Sequence, residues 1–229
     1  MEDLQVPIKL GISKADLRFE AGFPKPEFGL FRDVAALLDH LYRHLEPYGL
    51  RLTDIRVERG TGTVGDQHIL LYLFNYSVVV RVRVERIEVT CSDLPQELVR
   101  GFTAAVLDVL RSVKSYRSDL SFRTYAIVIG LHAKLEGHSV REYLARFVAN
   151  APEGLGPATG SGAVFYFGTE ADRLLSTVTA DVSAVVPDGL FVRVHAVWDA
   201  GRVVGDALPM AADSFLRQAL ESLGLQLPV

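Results

Sequence analysis

Arg81 and Arg83 alternate with valines in "VVVRVR", and Arg193 and His195 take the same spacing in "LFVRVHAVWD". Side chains two residues apart on a strand project from one face. A guanidinium presents a planar fork of N–H donors that matches carboxylate and phosphate geometry. Two such forks on one strand make a platform for an anionic small molecule or for the acidic surface of a protein partner. These four residues are the candidate binding residues.

Other spacings suggest chemistry and then fail to support it. "GTGTVG" (Gly60, Gly62, Gly65) matches GxGxxG. A dinucleotide fingerprint needs a helix next, so that the pyrophosphate meets a helix N-terminus. An apolar strand pattern follows here instead. A kinase glycine loop needs a downstream strand lysine, and no lysine lies between Lys25 and Lys114. The segment reads as a hairpin loop. His40 and His44 share a helix face with Asp33 along the same edge, but no HExxH pattern accompanies them, so they read as boundary residues of an apolar stripe. No GxSxG elbow occurs. Cys91 follows alternating strand residues and reads as an inert buried thiol. His132 reads as a core or edge histidine, the ordinary alternative for His195 as well. No catalytic residue, metal set or cofactor is assigned.

Composition narrows the function classes. The chain has 229 residues and a net charge of −4, with Lys+Arg 24 against Asp+Glu 28. Nucleic-acid binding calls for a clustered positive surface, and the arginines come only in short pairs, so nucleic acid is not expected as a partner. A single cysteine permits neither an intrachain disulfide nor a Cys-based zinc site. The start, "MEDLQVPIKL", lacks a basic and then apolar leader. The runs "ILLYLF" and "AIVIGL" fall short of the roughly 20 residues of a membrane helix. The expectation is a cytoplasmic protein with no membrane partner.

The elements that must position the arginines are legible as periodicities. Val34, Leu37, Leu38, Leu41, Tyr42 and Leu45 predict a helix that Pro47 and Gly49 stop. Leu50, Leu52, Ile55 and Val57 predict a strand, and "HILLYLFNY" a second. The stretch Val78 to Cys91 predicts a third. Its alternation changes phase at Glu85–Arg86, which reads as a β-bulge. Asp93 is the expected cap of a helix with Leu98, Phe102, Ala105, Val109 and Val113 on one stripe.

The second half repeats the order. "LSFRTYAIVIGLHA" predicts a central strand, apolar on both faces. A helix follows at "SVREYLARFVAN", with Ser139 and Glu142 as its capping box and Val140, Tyr143, Leu144, Phe147 and Val148 inward. Next comes the glycine-rich loop Ala151 to Gly162, a linker or a lid, with its scarcity of polar residues favouring the linker. Three strands are predicted after it, with Pro187 to Gly189 as a hairpin turn. The last helix has Pro209 in its first turn, Phe215, Leu216, Ala219, Leu220 and Leu223 inward, and Gly224 as its cap. The closing "LGLQLPV" predicts an ordered docking strand, within the chain or against a neighbour.

The expected fold is therefore α+β, an internal duplication of a (β)αβββα unit. Residues 1–117 form the first repeat and 118–229 the second, with mostly antiparallel sheets side by side and helices packed on one face. The expected function is a non-catalytic interaction protein, self-associating or complex-forming through an open sheet face or edge. The alternative is a small-molecule sensor with a pocket between the repeats.

Overall fold

A computed structural model describes residues 7–58, 67–147, 161–168, 176–203 and 205–228. It is α+β, with four helices and a large, mostly antiparallel sheet. No helix among the described residues is long and apolar enough to cross a membrane. The chain forms two compact units, and it enters each more than once. One, the helix-pair unit, comprises 16–127 and 197–209; the other, the terminal unit, comprises 1–15, 128–196 and 210–229. Three long strands, β1 (Ile8–Gly22), β6 (Thr124–Leu135) and β9 (Leu190–Asp199), contribute a stretch to each.

In the helix-pair unit, α1 (Val34–Leu45) begins at Asp33, whose carboxylate accepts from the Ala36 N–H at 3.0 Å. Leu37, Leu41 and Leu45 are fully buried. Gly49, at φ 79°, ends the segment in a conformation only glycine enters cheaply. The strand expected from Leu50 starts later, because Leu52–Asp54 form a single 3-10 turn. Asp54 holds that turn by accepting from Arg51 Nε at 2.8 Å and from the Tyr76 hydroxyl at 2.8 Å. Those hydrogen bonds keep its carboxyl down at about 2. β2 (Ile55–Glu58) and β3 (His68–Leu73) then pair antiparallel.

The stretch Val78 to Cys91 is not one bulged strand. It is a hairpin of β4 (Val78–Arg83) and β5 (Arg86–Cys91), with Val82 opposite Ile87 and Val80 opposite Val89. Opposed residues of an antiparallel pair share a face, so the buried set passes from even to odd numbers as the chain reverses. That reversal, and not a bulge, is the phase change. The first half thus has four strands between its helices where three were expected.

The second helix, α2 (Val99–Tyr116), is preceded by a 3-10 turn at Gln96–Leu98, and its N-cap is Leu98, without a side-chain bond. Asp93 does not cap it. Pro95 is extended at ψ 146°, and a proline pushes the residue before it out of the helical region, so the helix starts beyond the reach of Asp93. The Asp93 N–H donates instead to the Asp16 carboxylate at 2.9 Å. Phe102, Ala105, Val109 and Val113 of α2 are buried with Leu37, Leu41, Val78, Val80, Val82, Ile87 and Val89 in one core. Both helices therefore lie on the valine face of β4, and the arginines stand on the other. The strand order in this unit is β2-β3-β4-β5-β1-β6.

The terminal unit holds α3 (Val140–Ala145), β7 (Ala163–Phe167), β8 (Ser176–Val182), α4 (Leu208–Ser222) and β10 (Leu225–Gln226) with the remaining parts of β1, β6 and β9. β6 lies between β1 and β9, as its two apolar faces imply. Ser139 caps α3, accepting from the Glu142 N–H, but the helix stops six residues on, at Ala145. The β8–β9 turn closes where Ser183 donates its N–H to the Gly189 carbonyl at 2.7 Å. Gly224, at φ 73°, caps α4 and turns the chain into β10. β10 pairs in parallel with β1, Leu225 against Ile8, and Leu225 is fully buried. The expected docking strand thus docks within the chain.

Candidate functional site

The open face of the helix-pair unit can be read row by row from the strand register. Across β2, β3, β4, β5 and β1, one row is Arg56, Leu70, Arg81, Glu88 and Glu20. The next places His68 opposite both Glu58 and Arg83, and Arg86 opposite Gly22. A third is Tyr72, Val79, Thr90 and Arg18. Each row carries charge, with Leu70, Tyr72 and Val79 among the charged side chains, because alternation sends most of the apolar residues of these strands to the core.

Most of these charges are matched. Glu88 is the hub, with a side chain only 7 % exposed; Arg86 bonds one of its oxygens and Arg81 Nη1 approaches the other at 3.4 Å. Burial alone would push the Glu88 carboxyl up. The hydrogen bond and charge of Arg86, with the charges of Arg83 and Arg81, outweigh burial and hold it below its ordinary value. Glu20 pairs with Arg18, and His68 Nε2 lies 3.0 Å from Glu58. The Arg56 guanidinium sits 5.3 Å over the Tyr72 ring.

Arg83 differs. It is half-buried, its Nε is buried without a hydrogen-bond partner, and among the described residues its guanidinium is paired with no carboxylate. Arg81 Nε is likewise buried and unpartnered, although its Nη1 reaches Glu88. The two stand on one face of β4 about 7 Å apart along the strand. The arrangement offers N–H donors to an anion. Glu88, held ionised by its arginines, is no proton donor near neutral pH.

Arg193 and His195 lie in the terminal unit. Arg193 is exposed opposite Thr179, which faces Val164 of β7; His195 is half-buried opposite Thr177, which faces Tyr166. Each of the two candidate pairs therefore shares one strand face, and the pairs belong to different units.

The remaining sequence candidates have structural duties. His44 Nδ1 meets the His40 carbonyl at 2.8 Å, and His40 packs on Tyr116 and reaches Ser115. The Asp33 carboxylate is the α1 cap. Cys91 is buried, and burial pushes its thiol up. The segment with Gly60, Gly62 and Gly65, and most of the loop Ala151 to Gly162, lie outside the described residues. His132 acquires a partner that sequence reading missed: its Nδ1 lies 2.9 Å from Ser183 Oγ. That oxygen already accepts from the N–H groups of Val185 and Val186 at 3.1 and 2.9 Å. Its one hydrogen is therefore left for His132, and with both lone pairs engaged it is a poor nucleophile. The pair pins the β8–β9 turn.

A cleft of about 670 Å³ opens in the terminal unit beside Ile8, Lys9, Glu136, His138, Glu142 and Arg146. Two of its polar groups bond the protein's own backbone. His138 Nδ1 meets the Glu136 carbonyl at 2.7 Å, and the Tyr143 hydroxyl, pushed up to about 12 by burial, donates to the Leu223 carbonyl at 2.9 Å.

No protein-family model matches the chain, and no curated protein matches it in sequence.

Proposed function

We propose that this chain is a non-catalytic interaction protein, a complex-forming subunit that holds an acidic partner on the open sheet face of its helix-pair unit. The observation that carries this reading is Arg83, a half-buried guanidinium that among the described residues pairs with no carboxylate, beside an Arg81 that is only partly satisfied. Burying donors without acceptors costs free energy, and an incoming carboxylate removes that cost while adding charge-assisted bonds. Anionic small molecules fit the same fork. Arg193 and His195 are proposed as a further anion-facing pair in the terminal unit.

The test is calorimetric titration of the whole chain with hexaglutamate as the acidic-peptide probe and citrate as the small-molecule probe. Binding that weakens with salt, and that drops at least tenfold in Arg83→Met and in Arg81→Met, supports the reading. Equal binding by wild type and the double variant overturns it.

We also read the chain as an internal duplication. The support is the strand order. In the first half, β3, β4, β5 and β1 are neighbours in turn; in the second, β7, β8, β9 and β6 are. Each half returns its last strand to the side of its leading strand and then continues into a helix.

A further inference from the structure

The sheet of the terminal unit has two sides to protect, and the chain treats them differently. At the β1 side, β10 adds a strand, with Leu225 opposite Ile8 and Gln226 opposite Lys9. At the other side lies β7. One side of β7 pairs with β8 over its whole length, from Ala163 opposite Ala180 to Phe167 opposite Ser176. Among the described residues, no strand pairs with its other side. An uncovered strand presents a row of backbone N–H and C=O groups ready to bond a further strand.

Proteins commonly blunt such an edge with charge, proline or a bulge. β2, the last strand of the helix-pair sheet, carries Arg56 and Glu58 within four residues. β7 reads Ala-Val-Phe-Tyr-Phe, with no charge and no proline. Its side chains are exposed as well: Val164 is 50 % and Tyr166 67 % exposed on one face. Phe165 is turned the other way, against Phe147, with ring centroids 5.7 Å apart. A neutral, apolar edge calls for a neutral, apolar partner strand.

We propose that the partner is a second copy of this chain, with β7 pairing antiparallel to β7 about a two-fold axis through Phe165. Three features select a copy over another protein. The strand carries no charge, so an identical strand meets no repulsion and no charge of opposite sign is required to complement it. Phe165 is the middle of the five residues, so this register uses the whole strand. In that register Val164 of one copy stands opposite Tyr166 of the other, a pairing of β-branched and aromatic side chains that strengthens antiparallel sheets. Opposed residues share a face, so both copies keep Phe165 on the side of Phe147 and leave Tyr166 on the other. The result is an isologous, closed contact, the form most homodimers take. It is independent of the arginine face.

A five-residue edge buries less than a standard interface and gives a concentration-dependent dimer, so light scattering and sedimentation equilibrium should run from about 1 to about 200 µM. The expected result is a rise from the mass of one chain to that of two. The variant Tyr166→Lys changes an exposed side chain and charges the strand; it should stay at the mass of one chain throughout, with circular dichroism and melting unchanged. Tyr166→Phe should dimerise like wild type. Arg81→Met/Arg83→Met should dimerise too, which separates this proposal from the anion site. A wild type that stays monomeric over the whole range overturns the proposal. So does a Tyr166→Lys variant that dimerises like wild type, or association that continues past the dimer.

Discussion

The open face of β4 and the outer edge of β7 are both surfaces that a sheet leaves once its helices are covered, yet they are built from opposite materials. Around β4 every row carries charge, and most of the charges are matched: Arg81 reaches Glu88 from the neighbouring strand, while Arg86 bonds Glu88 and Arg18 bonds Glu20 within their own strands. β7 itself carries no charge, and Val164 and Tyr166 are exposed. A charged face costs little in water and resists casual stacking, because burying it strips hydration from every ion. An apolar edge gains by being covered. The difference is the basis for proposing an anionic ligand at one surface and another strand at the other.

The comparison can be broken or sharpened by substitution. The largest effect belongs to the edge that the terminal unit closes with its own chain. Leu225 is fully buried where β10 meets β1, so Leu225→Ala should cost about 2–5 kcal/mol in chemical denaturation. If β10 serves only its own chain, light scattering on that variant should show the wild-type mass.

Next comes the hub of the charged face. Glu88→Gln keeps the shape but leaves Arg81 and Arg86 with a neutral acceptor, and should cost about 2 kcal/mol, the scale of hydrogen bonds to charged groups. Arg83→Met removes a guanidinium that pairs with no carboxylate among the described residues and should fall within about 0.5 kcal/mol of wild type. Equal losses in the two variants would show that the face makes no distinction between paired and unpaired arginines.

The smallest effect appears only in acid. Asp54 titrates at about 2 when folded, against about 3.9 in an unfolded chain. The unfolded state therefore binds the proton first as pH falls. The stability that Asp54 contributes is complete above about pH 4 and is lost as pH drops toward 2. Asp54→Asn should show a shallower decline across that window when melting is followed against pH.

Much of the local structure was legible because it rests on neighbours in sequence. The stripe of α1, the Ser139 cap and the glycine stops at Gly49 and Gly224 all involve residues a few positions apart. The valine and arginine alternation of β4 likewise placed Arg81 and Arg83 away from the core. β1 was harder to see. Its fifteen residues, "IKLGISKADLRFEAG", bury their side chains at the two ends and not regularly between, so no period of two survives.

The hairpin within Val78 to Cys91 was ambiguous for a physical reason. A bulge and a reversal both shift the alternation by one residue, and Val84–Glu85 carries no glycine or asparagine to mark a turn. Distant backbone decides the matter: Phe23 donates its N–H to the Glu85 carbonyl at 3.0 Å, and Glu27 donates to that of Val84 at 2.6 Å. Misreading the reversal also hid the site's main feature, since Glu88 meets Arg81 only when β5 folds back beside β4.

Side-chain chemistry and periodicity by themselves determined which face of α1 and of β4 meets the core and placed the stops at Gly49 and Gly224, because those preferences act within a turn or two of the chain. Tertiary structure alone decided which strands are neighbours, and therefore which charges meet across strands. Glu88 is seven residues from Arg81 in sequence and Glu20 is sixty-six from Arg86, and each carboxylate comes within reach of that guanidinium only through register. That is why Arg81, Arg83, Arg193 and His195 could be named from sequence, while it took the fold to show that, among the described residues, Arg83 pairs with no carboxylate and no strand covers the outer edge of β7.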